Sequence, residues 1–350
     1  MLEKIGHSNI ETVKPVRIDF NRLISTDVEA DISESVEKAF GLDGFGGAII
    51  TNIPNFKETR EKVLRNMYRL SKEPKEFLAS ISKKTESGLR EFGWCEDSDP
   101  NPFGKISDKH VSFFSRYPDR IENIWPNTIP RFREDLIELN RLLTPPLLGL
   151  LKYFDQYLSR KIEKYKQGKF VDFVFNHYLC DNRLMVYTPL ERFDSNEQGE
   201  YDWENWHIDL GLMTIVAHPI YLTEKGEKYD LDSTAFLLKD RHGKEHRGIF
   251  SEDEFMITAG EAMLIESAGY IPATPHTVKP LPETPKDVYR VQAINFFHPE
   301  MNYRMNIPTR ESLEEIIERD PCKHGHGQID SFKEGCYYTE FIDSQIEYYS

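Results

Sequence analysis

The sequence is poor in cysteine, with four in 350 residues and no C-x-x-C pair. A chain of this length can bury a core large enough to fold without disulfide staples. Cys95, Cys180, Cys322 and Cys336 therefore read as reduced thiols of an intracellular, cytoplasmic protein. No apolar run approaches the about 18 residues that a membrane-spanning helix needs. The first twenty residues carry charges throughout and no apolar stretch, so no signal peptide is expected. Positive charge is also scarce: 44 Lys and Arg stand against 59 Asp and Glu, for a net charge of −15. That balance argues against broad contact with nucleic-acid backbones or anionic membranes, which needs clustered basic residues. There is no internal repeat and no low-complexity tract.

What is present is core-forming material, with 39% apolar and 12% aromatic residues. "VRIDF" (16–20) reads as a short strand. "DISESVEKAF" (31–40) reads as a helix, with Ile32, Val36 and Phe40 at four-residue steps and Asp31 or Ser33 as its cap. "GFGGAIITNIP" (44–54) is a glycine-led β-branched run and hence a strand. Residues 56–74 form an amphipathic helix with Val63, Leu64, Met67 and Leu70 on one side. Residues 80–130 lack periodicity and predict a long irregular segment. Residues 129–165 return to helix, and Pro145 with Pro146 predicts two helices or one with a sharp kink. From about 171 onward the segments "VDFVFNHYL", "NRLMVYTPL", "WHIDLGLMTIVAHPIYL", "TAFLLKD", "EFMITAGEAMLIES" and "VYRVQAINFFHP" read as strands of a sandwich or barrel. Residues 239–250 read as a hairpin around Gly243, and 309–319 as a helix.

Within "ENWHIDLGLMTIV" (204–216), His207 and Asp209 are two residues apart. On a strand that spacing puts both on one face and leaves Ile208 and Leu210 to the other. A buried carboxylate must be paired, hydrogen-bonded or metal-bound. By itself the pair fits a satisfied polar contact as well as a metal site. Downstream, His276 follows a strand and a turn of small residues, and Arg290 and Gln292 share one face of the next strand. Two histidines and one carboxylate, with coordination positions left open, form the ligand set of non-haem Fe(II) oxygenases. An arginine fork suits the far carboxylate of a bidentate 2-oxo acid.

These residues, in this order, resemble the iron(II)/2-oxoglutarate-dependent dioxygenases of the isopenicillin-N-synthase-like branch. "DGFGGAIITNIPN" resembles that family's "GFF-x-V-x-NHG", and "IWPNTIPRFREDL" its "WP…P.FR". "RLMVYTP" is similar to "R-L-x-x-Y-P-P", and "HIDLGLMTIV" to "H-x-D-x-G-x-x-T-x-L". "FMITAGEAMLIESAGY" resembles "F-V-V-N-x-G-D-x-L-x-x-x-S-N-G", and "YRVQAINFFHP" resembles "R-x-S-x-x-x-F-x-x-P". Together they cover most of the chain.

The resemblance implies an α+β, mainly β fold: a double-stranded β-helix (jelly-roll, cupin-like) core flanked by N-terminal helices. It divides the chain into an N-terminal helical and mixed region at 1–165, a catalytic core at 166–305 and a C-terminal segment at 306–350. It makes His207, Asp209 and His276 the iron ligands. Arg290, Gln292 and Tyr187 become the 2-oxoglutarate contacts. Fe(II), 2-oxoglutarate and O2 are the implied cofactor and co-substrates, and the partner is a small-molecule substrate of a monomeric oxidoreductase. The implied reaction oxidises a C–H bond, by hydroxylation in the default case, and releases succinate and CO2.

Three positions depart from the pattern. Gln292 stands where the family has Ser. Thr188 replaces the first Pro, so that anchoring on Pro189 would move the tyrosine position to Thr188. Arg290 also lies further past His276 than usual, which makes "LPETPK" a loop insertion and Lys286 the second candidate for the carboxylate clamp. An oxidase of the same fold that uses no 2-oxoglutarate is one competing function. A zinc hydrolase on the same three ligands is another, although no H-E-x-x-H general base accompanies them. Among other residues, His218 reads as structural, His242 and His246 as solvated, and "CKHGHG" (322–327) as a polar loop. Phe113, Phe114 and Tyr117 either line a pocket or pack.

Overall fold

The computed structural model describes residues 11–13, 15–25, 31–84, 91–96, 110–120, 122–192, 203–280, 284–320, 329 and 332–349. "CKHGHG" and Cys322 lie outside the described residues. The chain begins with β1 (Glu11–Val13), β2 (Arg17–Asp19) and α1 (Phe20–Ile24), whose first amides are capped by the Asp19 carboxylate. In α2 (Ser33–Phe40) the Asp31 carboxylate accepts from the Ser33 amide at 2.9 Å, as the sequence suggests. β3 (Gly47–Thr51) and α3 (Phe56–Leu70) follow as expected, and α4 (Lys75–Ser80) is added.

The segment expected to be irregular holds β4 (Ser82–Lys84), β5 (Glu91–Glu96) and β6 (His110–Tyr117). Its strands escape a hydrophobic pattern because one face of β6 carries His110, Ser112, Phe114 and Arg116, a mixture of polar and apolar groups. Pairing with a neighbouring strand, and not alternation, makes it β. α5 (Phe132–Lys161) runs as one helix through Pro145 and Pro146. The break expected there is overridden by burial along its length, from Phe132 to Leu158. The next segment, expected to be a strand, is α6 (Lys169–His177). The buried Asp155 carboxylate accepts from the Phe170 and Val171 amides, each at 3.0 Å, and so caps a helix start that the local sequence does not advertise.

β7 (Tyr178–Tyr187), β8 (Glu204–His207), β9 (Met213–Ala217), β10 (Ile220–Leu222), β11 (Lys228–Tyr229), β12 (Phe236–Lys239) and β13 (Glu245–Gly248) come next. The β12–β13 hairpin turns at Gly243, with φ +77°. After β14 (Phe255–Ala259) the expected strand ends. Residues Glu261–Glu266 form a fully buried helix, α7. β15 (His276–Val278), β16 (Tyr289–Pro299), α8 (Leu313–Glu318) with its Ser312–Glu315 capping box, and α9 (Tyr338–Tyr349) complete the order.

The strands form two sheets. One has the order β1-β13-β12-β15-β8; the other runs β2-β3-β14-β9-β16-β7-β6-β5-β4, with β10 and β11 added beside β16. Helices cover the outer face of the large sheet and share the main core with it. A second core, including Met185, Val216, Phe236, Met256 and Val278, lies between the two sheets. Strands from the N-terminal third join both sheets, since β1 pairs β13 and β3 pairs β14. No described helix is long and apolar enough to cross a membrane.

Candidate metal centre

His207 is the last residue of β8 and His276 the first of β15, and the two are register partners across the ladder. Their ring centroids are 4.3 Å apart. The strand expected to carry both His207 and Asp209 stops at His207, so strand alternation is not what unites them. Asp209 sits in the turn that leads to β9. Its Oδ1 lies 3.6 Å from His207 Nε2, and its Oδ2 lies 3.5 Å from His276 Nε2. One ligand atom from each residue falls within 4.8 Å of the other two.

Backbone carbonyls orient both rings. His207 Nδ1 donates to Asn205 O at 2.7 Å, and His276 Nδ1 donates to Thr274 O at 2.9 Å. With Nδ1 held by a backbone carbonyl, each Nε2 is turned toward Asp209, the orientation that a metal ligand needs once Nε2 gives up its proton as the metal binds. Asp209 Oδ2 is buried without a hydrogen-bond partner. A buried carboxylate oxygen that accepts no hydrogen bond, beside two inward-facing imidazole Nε2 atoms, fits a divalent cation. Burial opposes charge on His207, but Asp209 outweighs it and pushes the imidazole up to about 9. Burial likewise opposes charge on Asp209, and His276 and His207 hold its carboxyl far below the usual range. At His276 burial prevails and lowers the imidazole.

The frame around this cluster is specific. The turn bearing Asp209 caps α7: Glu261 N donates to Asp209 O at 2.8 Å and Ala262 N to Leu210 O at 3.3 Å. A side chain at Gly260 would meet Asp209 O at 2.5 Å, so only glycine lets helix and turn approach this closely. The loop before His276 is fastened to the N-terminal glycine segment. Arg241 donates to Gly44 O at 2.7 Å and to Ala273 O at 2.7 Å, and Thr274 Oγ1 donates to Gly46 O at 2.8 Å.

Arg290 and Gln292 lie on one face of β16, and Tyr187 is the register partner of Arg290 on β7. Arg290 is 0% exposed. Its guanidinium carbon stands 4.8 Å from the Tyr187 ring centroid and 5.6 Å from that of Trp203. Nη2 donates to Thr234 O at 2.9 Å and also to Gln292 Oε1. Nε and Nη1 are buried with no hydrogen-bond partner. Two unsatisfied donors on a buried cation fit an anionic group. Gln292 is spent on holding the arginine, because its Nε2 donates to Ala217 O. The Tyr187 hydroxyl is turned to Met185 Sδ at 3.5 Å. Thr188 lies beyond the end of β7, and Lys286 is exposed.

Other expectations fall differently. His246 is buried, not solvated, and pairs with Asp240 at 2.7 Å because β13 packs it against Phe45. His242 is exposed and His218 is buried. Phe113 packs outward against Phe132, whereas Phe114 faces the space between the sheets. Cys180 and Cys336 are free thiols. Sequence reasoning missed Glu204, His110 and Arg183. Glu204 Oε1 lies 3.6 Å from His110 Nε2 and 3.9 Å from Arg183 Nη1. Only the closeness of Glu204 to His207 in sequence pointed that way.

No family model and no curated protein matches the sequence. Solved structures do. The chain is 17% identical to T7H of Neurospora crassa in complex with alpha-KG and thymine, at a TM-score of 0.69 over 98% of both chains. It is 17% identical to a putative 2OG-Fe(II) oxygenase family protein from Caulobacter crescentus, at a TM-score of 0.64 over 96% of this chain and 99% of that one. JOX2 in complex with 2OG, Fe and JA matches at 18% identity and a TM-score of 0.62, over 89% of this chain and 81% of that one. The fold is that of 2OG-Fe(II) oxygenases.

Proposed function

We propose that this chain is an Fe(II)- and 2-oxoglutarate-dependent oxygenase that oxidises a C–H bond of a small molecule, with hydroxylation as the default outcome. The observation that carries the proposal is the triad: two imidazoles with Nε2 turned inward by their own Nδ1 bonds, facing a buried carboxylate oxygen that accepts no hydrogen bond. His207, Asp209 and His276 would hold the iron. Arg290 would take the far carboxylate of 2-oxoglutarate on Nε and Nη1, with Gln292 fixing the guanidinium plane. The two unsatisfied donors favour this reading over an oxidase that needs no 2-oxoglutarate. Tyr187 supplies an aromatic wall beside the arginine. Iron(II), 2-oxoglutarate and O2 together supply an oxidant for the substrate and yield succinate and CO2. Burial of the Arg290 end excludes water from the co-substrate, and the partly exposed His207 edge leaves the substrate side open.

The two sheets serve in this proposal as the walls of a double-stranded β-helix of the isopenicillin-N-synthase-like type. Its catalytic core spans 166–305, with the flanking regions as divided above. The free thiols suit a cytoplasmic monomer. T7H with thymine and JOX2 with JA are complexes with small molecules, which supports a small-molecule substrate here.

Anaerobic loading with Fe(II) and then 2-oxoglutarate should produce a visible charge-transfer band, and admission of O2 should produce succinate. His207→Ala, Asp209→Ala and His276→Ala should each lose the band. They should weaken metal binding by more than the about 10–100-fold typical of outer-sphere changes. Metal bound equally well by all three variants, or no succinate from the loaded wild type with a substrate panel, would refute the assignment.

A further inference from the structure

The chain between α7 and β15, residues 267–275, has no regular secondary structure, yet all of it except Tyr270 is buried. Loops normally stay at the surface because their backbone carbonyls need partners, so a buried loop must find donors elsewhere. Two arginines from distant parts of the chain supply them here. Arg319, just past α8, donates to Ala268 O, and its guanidinium carbon lies 4.2 Å from the Tyr270 ring centroid. Arg241, in the β12–β13 turn, donates to Pro272 O at 3.3 Å and to Ala273 O at 2.7 Å. An arginine in a hairpin turn normally reaches into water, but this one is 4% exposed.

The C-terminal segment meets the same loop at two more points. Asp320 is fully buried, and its Oδ2 lies 3.5 Å from Arg241 Nη1. At Gly269, where φ is +74°, a Cβ would lie 2.5 Å from Ile316 O, so α8 and the loop touch backbone to backbone. The loop leads directly to a candidate metal ligand. Ala273 O is held by Arg241, and the next carbonyl, Thr274 O, receives the His276 Nδ1 proton at 2.9 Å. That bond turns His276 Nε2 to within 3.5 Å of Asp209 Oδ2.

We propose that Arg241 is a positioning residue for His276, and that the C-terminal α8 segment sets it through Asp320, so that docking of this segment and metal binding at the triad are one coupled equilibrium. Asp320 steadies the buried guanidinium, the guanidinium fixes the Pro272 and Ala273 carbonyls, and Thr274 O then aims the imidazole. Removing the carboxylate from beside a buried cation loosens this chain of contacts at its start. The coupling is reciprocal: the factor by which docking tightens metal binding is the factor by which the metal tightens docking. This rests on the reading of His207, Asp209 and His276 as a metal centre.

The test uses the full chain and zinc as the probe, with affinity read by competition against a chromophoric chelator and local order by amide hydrogen exchange. Asp320→Asn should weaken zinc binding about tenfold. Arg241→Lys keeps the charge but loses the fork that spans the carbonyls, and should weaken it by about 10–100-fold. The double variant should bind zinc no more weakly than Arg241→Lys alone, because Asp320 acts through Arg241. Zinc should slow exchange in α8 of the wild type about tenfold and leave α8 of Asp320→Asn unaffected. Glu318→Gln, an exposed change on the same helix, should match the wild type throughout. Urea unfolding of the metal-free variants confirms that each is folded; a purely structural role would shift these midpoints and leave zinc affinity alone. Unchanged zinc affinity in Asp320→Asn, losses that add in the double variant, or wild-type α8 exchange indifferent to bound zinc would overturn the coupling and leave the metal centre standing. A wild type that binds no zinc would refute the metal centre itself, and the coupling with it.

Discussion

Arg290 stands directly across the β16–β7 ladder from Tyr187, with the guanidinium over the phenol ring and the hydroxyl turned away to Met185. The arginine lies over the ring, and its charge also reaches the hydroxyl. Arg290→Ala should raise the 2-oxoglutarate KM about 100-fold, the cost of removing one partner of a buried charged pair. Tyr187→Phe should change it by only about threefold, because the ring over which the guanidinium lies is kept. A large Tyr187→Phe effect would show that the hydroxyl swings onto the co-substrate. A KM unmoved by Arg290→Ala, with Lys286→Ala raising it instead, would transfer the clamp to the loop.

Gly46 shapes the metal centre from outside it. Its φ is +72°, and a Cβ there would lie 2.4 Å from both Arg241 Nη2 and Thr274 Oγ1. Gly46→Ala should cost about 1–3 kcal/mol of stability for the backbone conformation alone. Because Thr274 O receives the His276 ring proton, metal affinity should also fall about tenfold. Urea unfolding and metal titration of the variant check both; an unchanged metal affinity would mean that the clamp does not govern His276.

Asp181 provides a pH signature away from the metal. Burial tends to raise its carboxyl, but His298 at 3.0 Å and Arg116 at 2.9 Å outweigh this and bring it to about 2 from 3.8. A depressed carboxyl contributes stability that is present above the unfolded value near 4 and lost as pH falls through about 2. The contribution is about 1–2 kcal/mol for a group that is partly exposed. Asp181→Asn should destabilise by that amount at pH 6, with the difference shrinking steadily toward pH 2. A gap that stays constant with pH would exclude the ionised carboxylate as its source.

The members of the candidate site were legible in order, and the structure brings His207, Asp209 and His276 together. His207, Asp209, His276, Arg290 and Gln292 could be picked out because ligand and cation types recur among strand patterns in a recognisable sequence. The helix and strand boundaries were less so. α6 was hidden because its cap, Asp155, comes from another helix, and the β character of β6 was hidden because it depends on pairing with β7. Pro145 and Pro146 gave a valid local signal that burial of α5 overrode.

The sequence by itself determined the chemical inventory: an acidic composition with ample core-forming residues, two histidines and an aspartate able to bind a metal, and an arginine on a strand. Tertiary structure alone decided how these meet. Asp209 reaches the histidines through a turn locked onto α7, and His276 is aimed by a clamp from the N-terminal glycine segment. Arg183 and Glu204 become neighbours because two sheets face each other there. Spacing along a chain fixes which face a side chain takes within one element. Distances between elements follow from packing, which no local pattern encodes.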